Sequence, residues 1–160
     1  MINIKKGIFE TNSSSMHSLV LLKQANEENY FTTPYLWKDG KLHFYADDLY
    51  FGRSPFEVLY TFVDKLRYAI AYYGKKRFPE LEDLAKKYIP FCQGIELKDE
   101  YGYIDHQSYG LLDKADLEEW LTNPNEIVII DGDEYCVFES LMESKLIDKS
   151  NILKRDVLCD

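Results

Sequence analysis

With 160 residues, 46% of them hydrophobic, the chain is long enough to bury one core and short for several domains. A formal net charge of −9 speaks against direct binding to a phosphate backbone, which takes Lys and Arg to neutralise it. No apolar run approaches the ~18 residues of a membrane span, no apolar signal segment opens the chain, and three cysteines without paired spacing (Cys92, Cys136, Cys159) fit a reduced, cytoplasmic compartment better than a disulfide framework.

Two strands are expected first, at 2–10 and 18–23, around the polar loop E-T-N-S-S-S-M-H-S of Glu10 to Ser18. That loop gathers hydroxyls, backbone N–H groups and an imidazole, a composition suited to holding an anion or a metal. Residues 24–40 are polar and aromatic, with turn signals at Pro34 and Asp39-Gly40. A short strand is expected over Lys41 to Tyr45, then an irregular stretch opened by Asp47 and Asp48.

Ser54-Pro55-Phe56-Glu57 carries a capping hydroxyl, a Pro at the first helical position and a Glu three residues after the cap. A helix is therefore predicted from Ser54, with Val58, Leu59, Phe62, Val63, Leu66, Ile70 and Tyr73 as its buried stripe and Gly74 as its terminator. Lys75-Lys76-Arg77 reads as a solvated helix end whose cations complement the dipole. A second helix is predicted over 79–89, closed by Pro90.

Residues 95–110 read as a β-hairpin turning near Glu100 to Gly102. Asp113 is expected to cap a short helix through Leu121, and the β-branched run Glu126 to Ile130 to form a central strand. A helix over Glu134 to Ser144 and an edge strand at Ile152 to Leu153 complete the chain. Asp131-Gly132-Asp133-Glu134 lacks the spaced ligands of an EF-hand and reads as a helix cap with favourable first-turn acids. The expected fold is a single α+β domain over 1–160, a mainly antiparallel sheet packed with about four helices.

The chain has three histidines, so their placement carries weight. His43 alternates with Leu42 and Phe44 and reads as structural. His17 and His106 lie among Ser and Asp residues that could simply hydrogen-bond them. Read functionally, they become ligands of a zinc ion, usually four-coordinate, with the further sulfur or carboxylate ligand drawn from Cys92 or Asp131. The alternative is phosphodiester hydrolysis by the same two histidines. His106-Gln107-Ser108 matches one H-x-S motif of two-histidine phosphoesterases, but His17-Ser18-Leu19 breaks the second. A third reading is an accessory protein with no site.

The opening I-K-K-G-I-F-E-T-N-S-S-S-M-H-S resembles the start of small proteins carried by phages and mobile elements of Gram-positive bacteria, with I-D-H-Q-S as a second landmark. The resemblance covers about twenty residues and brings no functional residues with it. It implies a member of the small acidic phage-borne class that includes type II anti-CRISPR inhibitors of Cas9. The expected function is then an acidic inhibitor of a nucleic-acid-guided nuclease in the cytoplasm of an infected bacterial host. It would occupy a basic, nucleic-acid-binding surface such as that of a Cas9–guide complex, with no direct contact to nucleic acid or membrane.

Overall fold

The computed structural model describes residues 16–22, 25, 27–52, 57–104, 112–113, 115–131 and 152–157. Within them lie eight strands and three α-helices, an α+β arrangement. No helix among these residues is long and apolar enough to cross a membrane.

Four strands build the main sheet: β1 (Met16–Leu22), β4 (Glu57–Leu59), β7 (Glu126–Asp131) and β8 (Ile152–Val157), in the order β4-β7-β1-β8. All pairings are antiparallel, with His17 opposite Ile130 and Val58 opposite Ile129. β7 lies inside the sheet, as its run of Ile127, Val128, Ile129 and Ile130 predicts; all four are fully buried. β8 forms the edge beside β1. The predicted edge strand at Ile152 is therefore present and runs on to Val157.

The remaining strands pair in parallel: β2 (Lys41–Phe44) with β5 (Gly94–Leu97), and β3 (Tyr50–Phe51) with β6 (Tyr103–Ile104). The offset between partners is 53 positions at every rung, and the Ala46 N–H reaches the Asp99 carboxylate across the same offset. The two pairs thus form one ribbon, interrupted by a 3-10 turn over Ala46–Leu49. This corrects the hairpin expected at 95–110. β5 and β6 do not pair with each other; each takes a partner from the N-terminal part of the chain. Parallel strands need a long crossover, and helices α1 (Phe62–Tyr73) and α2 (Phe78–Tyr88) lie within it.

Helix α1 begins seven residues later than its Ser54 cap signal suggests, with Thr61 as cap and Phe62 as first residue. Ser54 to Phe56 lie outside the described residues, while Glu57–Leu59 are drawn into the sheet by pairing with β7. The working cap is Thr61, whose Oγ1 accepts the Asp64 N–H at 3.1 Å while the Asp64 carboxylate accepts the Thr61 N–H at 3.2 Å. Asp replaces the usual Glu or Gln of the capping box. Gly74 ends the helix at φ +54, as expected. The helix is central: Phe62, Leu66, Tyr68, Ala69 and Ile70 are fully buried, and so is Lys65. Each large apolar side chain buried here contributes roughly 1.5–3 kcal/mol.

Helix α2 buries only Leu81, Leu84 and Ala85, which share one face. Helix α3 (Leu117–Thr122) is capped by Asp116, whose carboxylate accepts the Glu119 N–H at 2.9 Å. Asp113, the expected cap, instead accepts the Tyr72 hydroxyl at 2.9 Å. Lys75 and Lys76 are exposed just past α1, as the solvated reading expects, whereas Arg77 sits half-buried at the start of α2, pairs with Glu80 and lies over the Tyr73 ring; Lys75 lies over Tyr101. The first expected strand at 2–10, residues 105–110 of the hairpin, the helix at 134–144, Cys136 and Cys159 lie outside the described residues.

One buried ammonium ties the helices to the sheet. Lys65 Nζ donates to the carbonyls of Trp120 (2.6 Å), Asn123 (2.8 Å) and Glu126 (3.0 Å). It therefore closes the C-terminal end of α3 and the turn into β7, where free carbonyls would otherwise be left in the core. The Tyr30 and Trp120 rings face the same ammonium.

Candidate metal-ligand group

The turn Trp37-Lys38-Asp39-Gly40 leads into β2. The Gly40 N–H donates to the Trp37 carbonyl at 2.9 Å, and Gly40 sits at φ +77. Asp39 Oδ1 accepts the Lys41 N–H at 3.1 Å, which holds the carboxylate against the start of the strand. His43 is two residues further along β2, and its side chain is nine-tenths buried. Its register partner in β5 is Glu96.

These three side chains converge. His43 Nε2 lies 3.2 and 3.0 Å from the two Asp39 oxygens and 3.8 Å from Glu96 Oε2. One ligand atom from each residue falls within 4.8 Å of the other two. Facing two carboxylates, Nε2 must carry a proton when no cation lies between them. The Trp37 ring stacks on the imidazole at 5.2 Å and fixes its plane. The Lys41 N–H hydrogen bond and, after it, His43 hold the Asp39 carboxyl below its ordinary value. Lys98, bound to Glu96 Oε1, does the same for Glu96 and leaves Oε2 toward His43. Both carboxylates are thus ready as anionic donors, and both remain open to solvent, with 48% and 38% of their side chains exposed.

The set expected from the sequence is His17, His106, Cys92 and Asp131. His17 lies in β1 with its ring in the core, 1% exposed, and Nδ1 is 2.8 Å from the Tyr68 hydroxyl. Cys92 is buried beyond the end of α2; its thiol donates to the Gly94 carbonyl at 3.4 Å, and burial pushes its pKa up. The backbone of Asp131 ends β7 opposite Met16. The Asp131 side chain and all of His106 lie outside the described residues. Among those residues, neither His17 nor Cys92 belongs to a group of three ligands within mutual reach, and Asp39, His43 and Glu96 do.

His43, read as structural from its alternation, is thus both a strand residue and the centre of the group. The available signal was Asp39 four positions before it; Glu96 became a partner only through the parallel register. Compared with known proteins, the chain matches no family model, no curated protein and no solved structure.

Proposed function

We propose that this chain works by docking, as an acidic protein that covers the basic, nucleic-acid-binding surface of a protein partner. The supporting observation is its charge of −9 together with aromatic side chains left exposed on and beside the parallel ribbon. Trp37 (52%), Tyr45 (47%), Tyr50 (51%) and Tyr103 (47%) stand out from the surface, and Tyr50 stacks on Tyr103. Asp47, Asp99 and Glu100 are exposed on the same two segments. Exposed aromatics supply interface anchors, and acidic groups speed encounter with a basic face. The likeness of residues 4–18 to phage-borne proteins points to a Cas9–guide complex as partner, an inhibitor of the anti-CRISPR type, and the cytoplasm of an infected bacterium as its place.

Association with a Cas9–guide complex should weaken as salt rises from ~50 mM to ~500 mM, because exposed charges are screened beyond ~10 Å at 0.1 M. Joint reversal of Asp47→Lys and Glu100→Lys should slow association about tenfold and leave the melting temperature in place. Folded wild type that binds nowhere in this salt range would sink the docking reading.

A second reading rests on a separate observation, the convergence of Asp39, His43 and Glu96. We propose that these residues hold one zinc ion, for which imidazole nitrogen and carboxylate oxygen are suitable donors. Zinc bonds of ~2.0–2.2 Å set tetrahedral ligand separations at about 3.3–3.6 Å. The observed 3.0–3.8 Å around Nε2 bracket that spacing. Purified protein should carry about one zinc per chain, and His43→Ala should carry none. Protein that takes up no zinc from solution would end this reading. The hydrolase alternative has less support, since the buried ring of His17 is withheld from a polyanionic substrate.

A further inference from the structure

We infer that the Tyr50–Tyr103 pair, with Asp47 and Glu100, seats arginine side chains of a partner protein and takes their guanidinium groups in preference to lysine ammonium groups. The inference rests on the docking reading and adds which group of the basic surface is recognised. Tyr50 and Tyr103 are register partners across the parallel ribbon, and their rings stack at 5.5 Å with 23° between their planes. Three positions before them, Asp47 and Glu100 hold the same place in the two links of the ribbon, 45–49 and 98–102. Both acidic residues are exposed, and so is about half of each tyrosine.

The two links and the rings are held in place. Tyr50 lies back over Gly52, where an added Cβ would meet the tyrosine hydroxyl at 2.6 Å and the ring at 2.7 Å. Gly102 brings the second link against the first, since a Cβ there would lie 2.3 Å from the Leu49 carbonyl oxygen. The Ala46 N–H donates to the Asp99 carboxylate at 3.1 Å, and the Tyr45 N–H to that of Asp48 at 2.9 Å. Those two carboxylates are occupied, whereas Asp47 and Glu100 have no partner among the described residues. A platform set before docking loses less freedom on docking.

Charge and shape decide what sits there. Residues 45–50 and 98–103 carry four carboxylates, and Lys98, their one cation, is bound to Glu96. Arg67, which donates to the Asp48 carbonyl, is shared between Glu57 and Asp64, and Lys75 lies over the Tyr101 ring. The surface therefore calls for a cation from outside. A guanidinium stacks flat on aromatic faces, is weakly hydrated and gives two parallel hydrogen bonds to one carboxylate; an ammonium is a strongly hydrated point charge. The chain uses the same combination within itself. Arg77 lies 4.8 Å from the centre of the Tyr73 ring while its Nε and Nη2 donate to the two Glu80 oxygens at 2.7 and 2.6 Å. Lys87 also lies over a ring, that of Tyr88, but reaches its carboxylate, Glu118, through one oxygen.

Hexa-arginine and hexalysine, peptides of equal charge, serve as probes, titrated calorimetrically into wild type at ~0.1 M salt. Hexa-arginine should bind about three- to tenfold more tightly. Tyr103→Leu keeps an apolar side chain and removes the aromatic face, so it should cut that preference below about twofold, and Tyr50→Leu should do the same. Asp47→Asn combined with Glu100→Gln should weaken both peptides. Equal affinity of wild type for the two peptides would overturn the guanidinium seat, as would a preference that persists in both leucine variants, affinities untouched by loss of the two carboxylates, or no binding of either peptide. The docking reading is decided separately, by association of the Cas9–guide complex with wild type, and survives each of these results if the complex binds.

Discussion

Lys65→Met should destabilise the protein by about 2–4 kcal/mol at neutral pH, one of the largest losses expected from a single substitution here. Met keeps most of the apolar stem but offers no donor. The buried Trp120 carbonyl and the half-buried Glu126 carbonyl would then lose the ammonium that meets them, while the Asn123 carbonyl keeps the Glu126 N–H at 3.2 Å. Each such orphaned group costs ~1–3 kcal/mol, offset in part by removing a charge that was expensive to bury.

The same lysine gives stability a distinctive pH dependence. Burial pushes its pKa from 10.5 down to about 7, against the weaker pull of the Glu126 carboxylate. Between those values the unfolded chain binds a proton that the folded chain does not, so this contribution to stability rises with pH. It is smallest below pH 7 and complete near 10.5, with a slope of at most ~1.4 kcal/mol per pH unit. Buried Tyr30 acts in the opposite sense above pH 10. Its hydroxyl, donating to the Leu121 carbonyl, is held un-ionised by burial and then by Asp64 and Glu126. Denaturant melts of wild type and Lys65→Met at pH 6 to 10 isolate the lysine, since other groups cancel in the difference. Parallel pH profiles for the two proteins would refute the assignment.

Gly102→Ala should cost about 3 kcal/mol or more. Gly102 precedes β6 at φ +91, and a Cβ there would lie 2.3 Å from the Leu49 carbonyl oxygen and 2.5 Å from Leu49 Cβ. A backbone atom cannot yield as a flexible side chain can. Gly74→Ala is the matched control. Its φ of +54 is also left-handed, but the nearest atom to an added Cβ is 4.0 Å away. Only the conformational penalty of its φ +54, ψ −141 backbone applies there, about 1–3 kcal/mol. Equal losses at the two positions, measured by chemical denaturation, would show that close packing at Leu49 is not what requires the glycine.

Local chemistry was legible in the sequence where neighbours decide it. The buried stripe from Phe62 to Ile70, the terminator Gly74 and the apolar run of β7 were all readable, because periodicity and run length fix them. The Ser54 signal misled because a good local cap competes with strand pairing, and β7 claims Val58 and Leu59. Asp113 was expected as the cap; Asp116 takes that place three residues later, with Leu117 and Trp120 of the helix buried behind it. The parallel pairs were illegible, since residues 95–110 look like a hairpin when read alone. That omission hid the candidate site as well, because Glu96 meets His43 only across the parallel ribbon.

The constant offset of that ribbon has a consequence for how the chain can assemble and vary. Every rung closes the same length of chain, so the entropic cost of closure is met at the first rung and the later ones follow on a shared frame. Pairing in the ribbon joins segments 53 positions apart, a separation of the kind that slows folding. Lengthening the crossover by one residue leaves every rung matched. Lengthening only one of the two short links, Tyr45 to Leu49 or Lys98 to Gly102, puts the two pairs out of step. Insertions in those links are therefore tolerated only as matched pairs, one on each side.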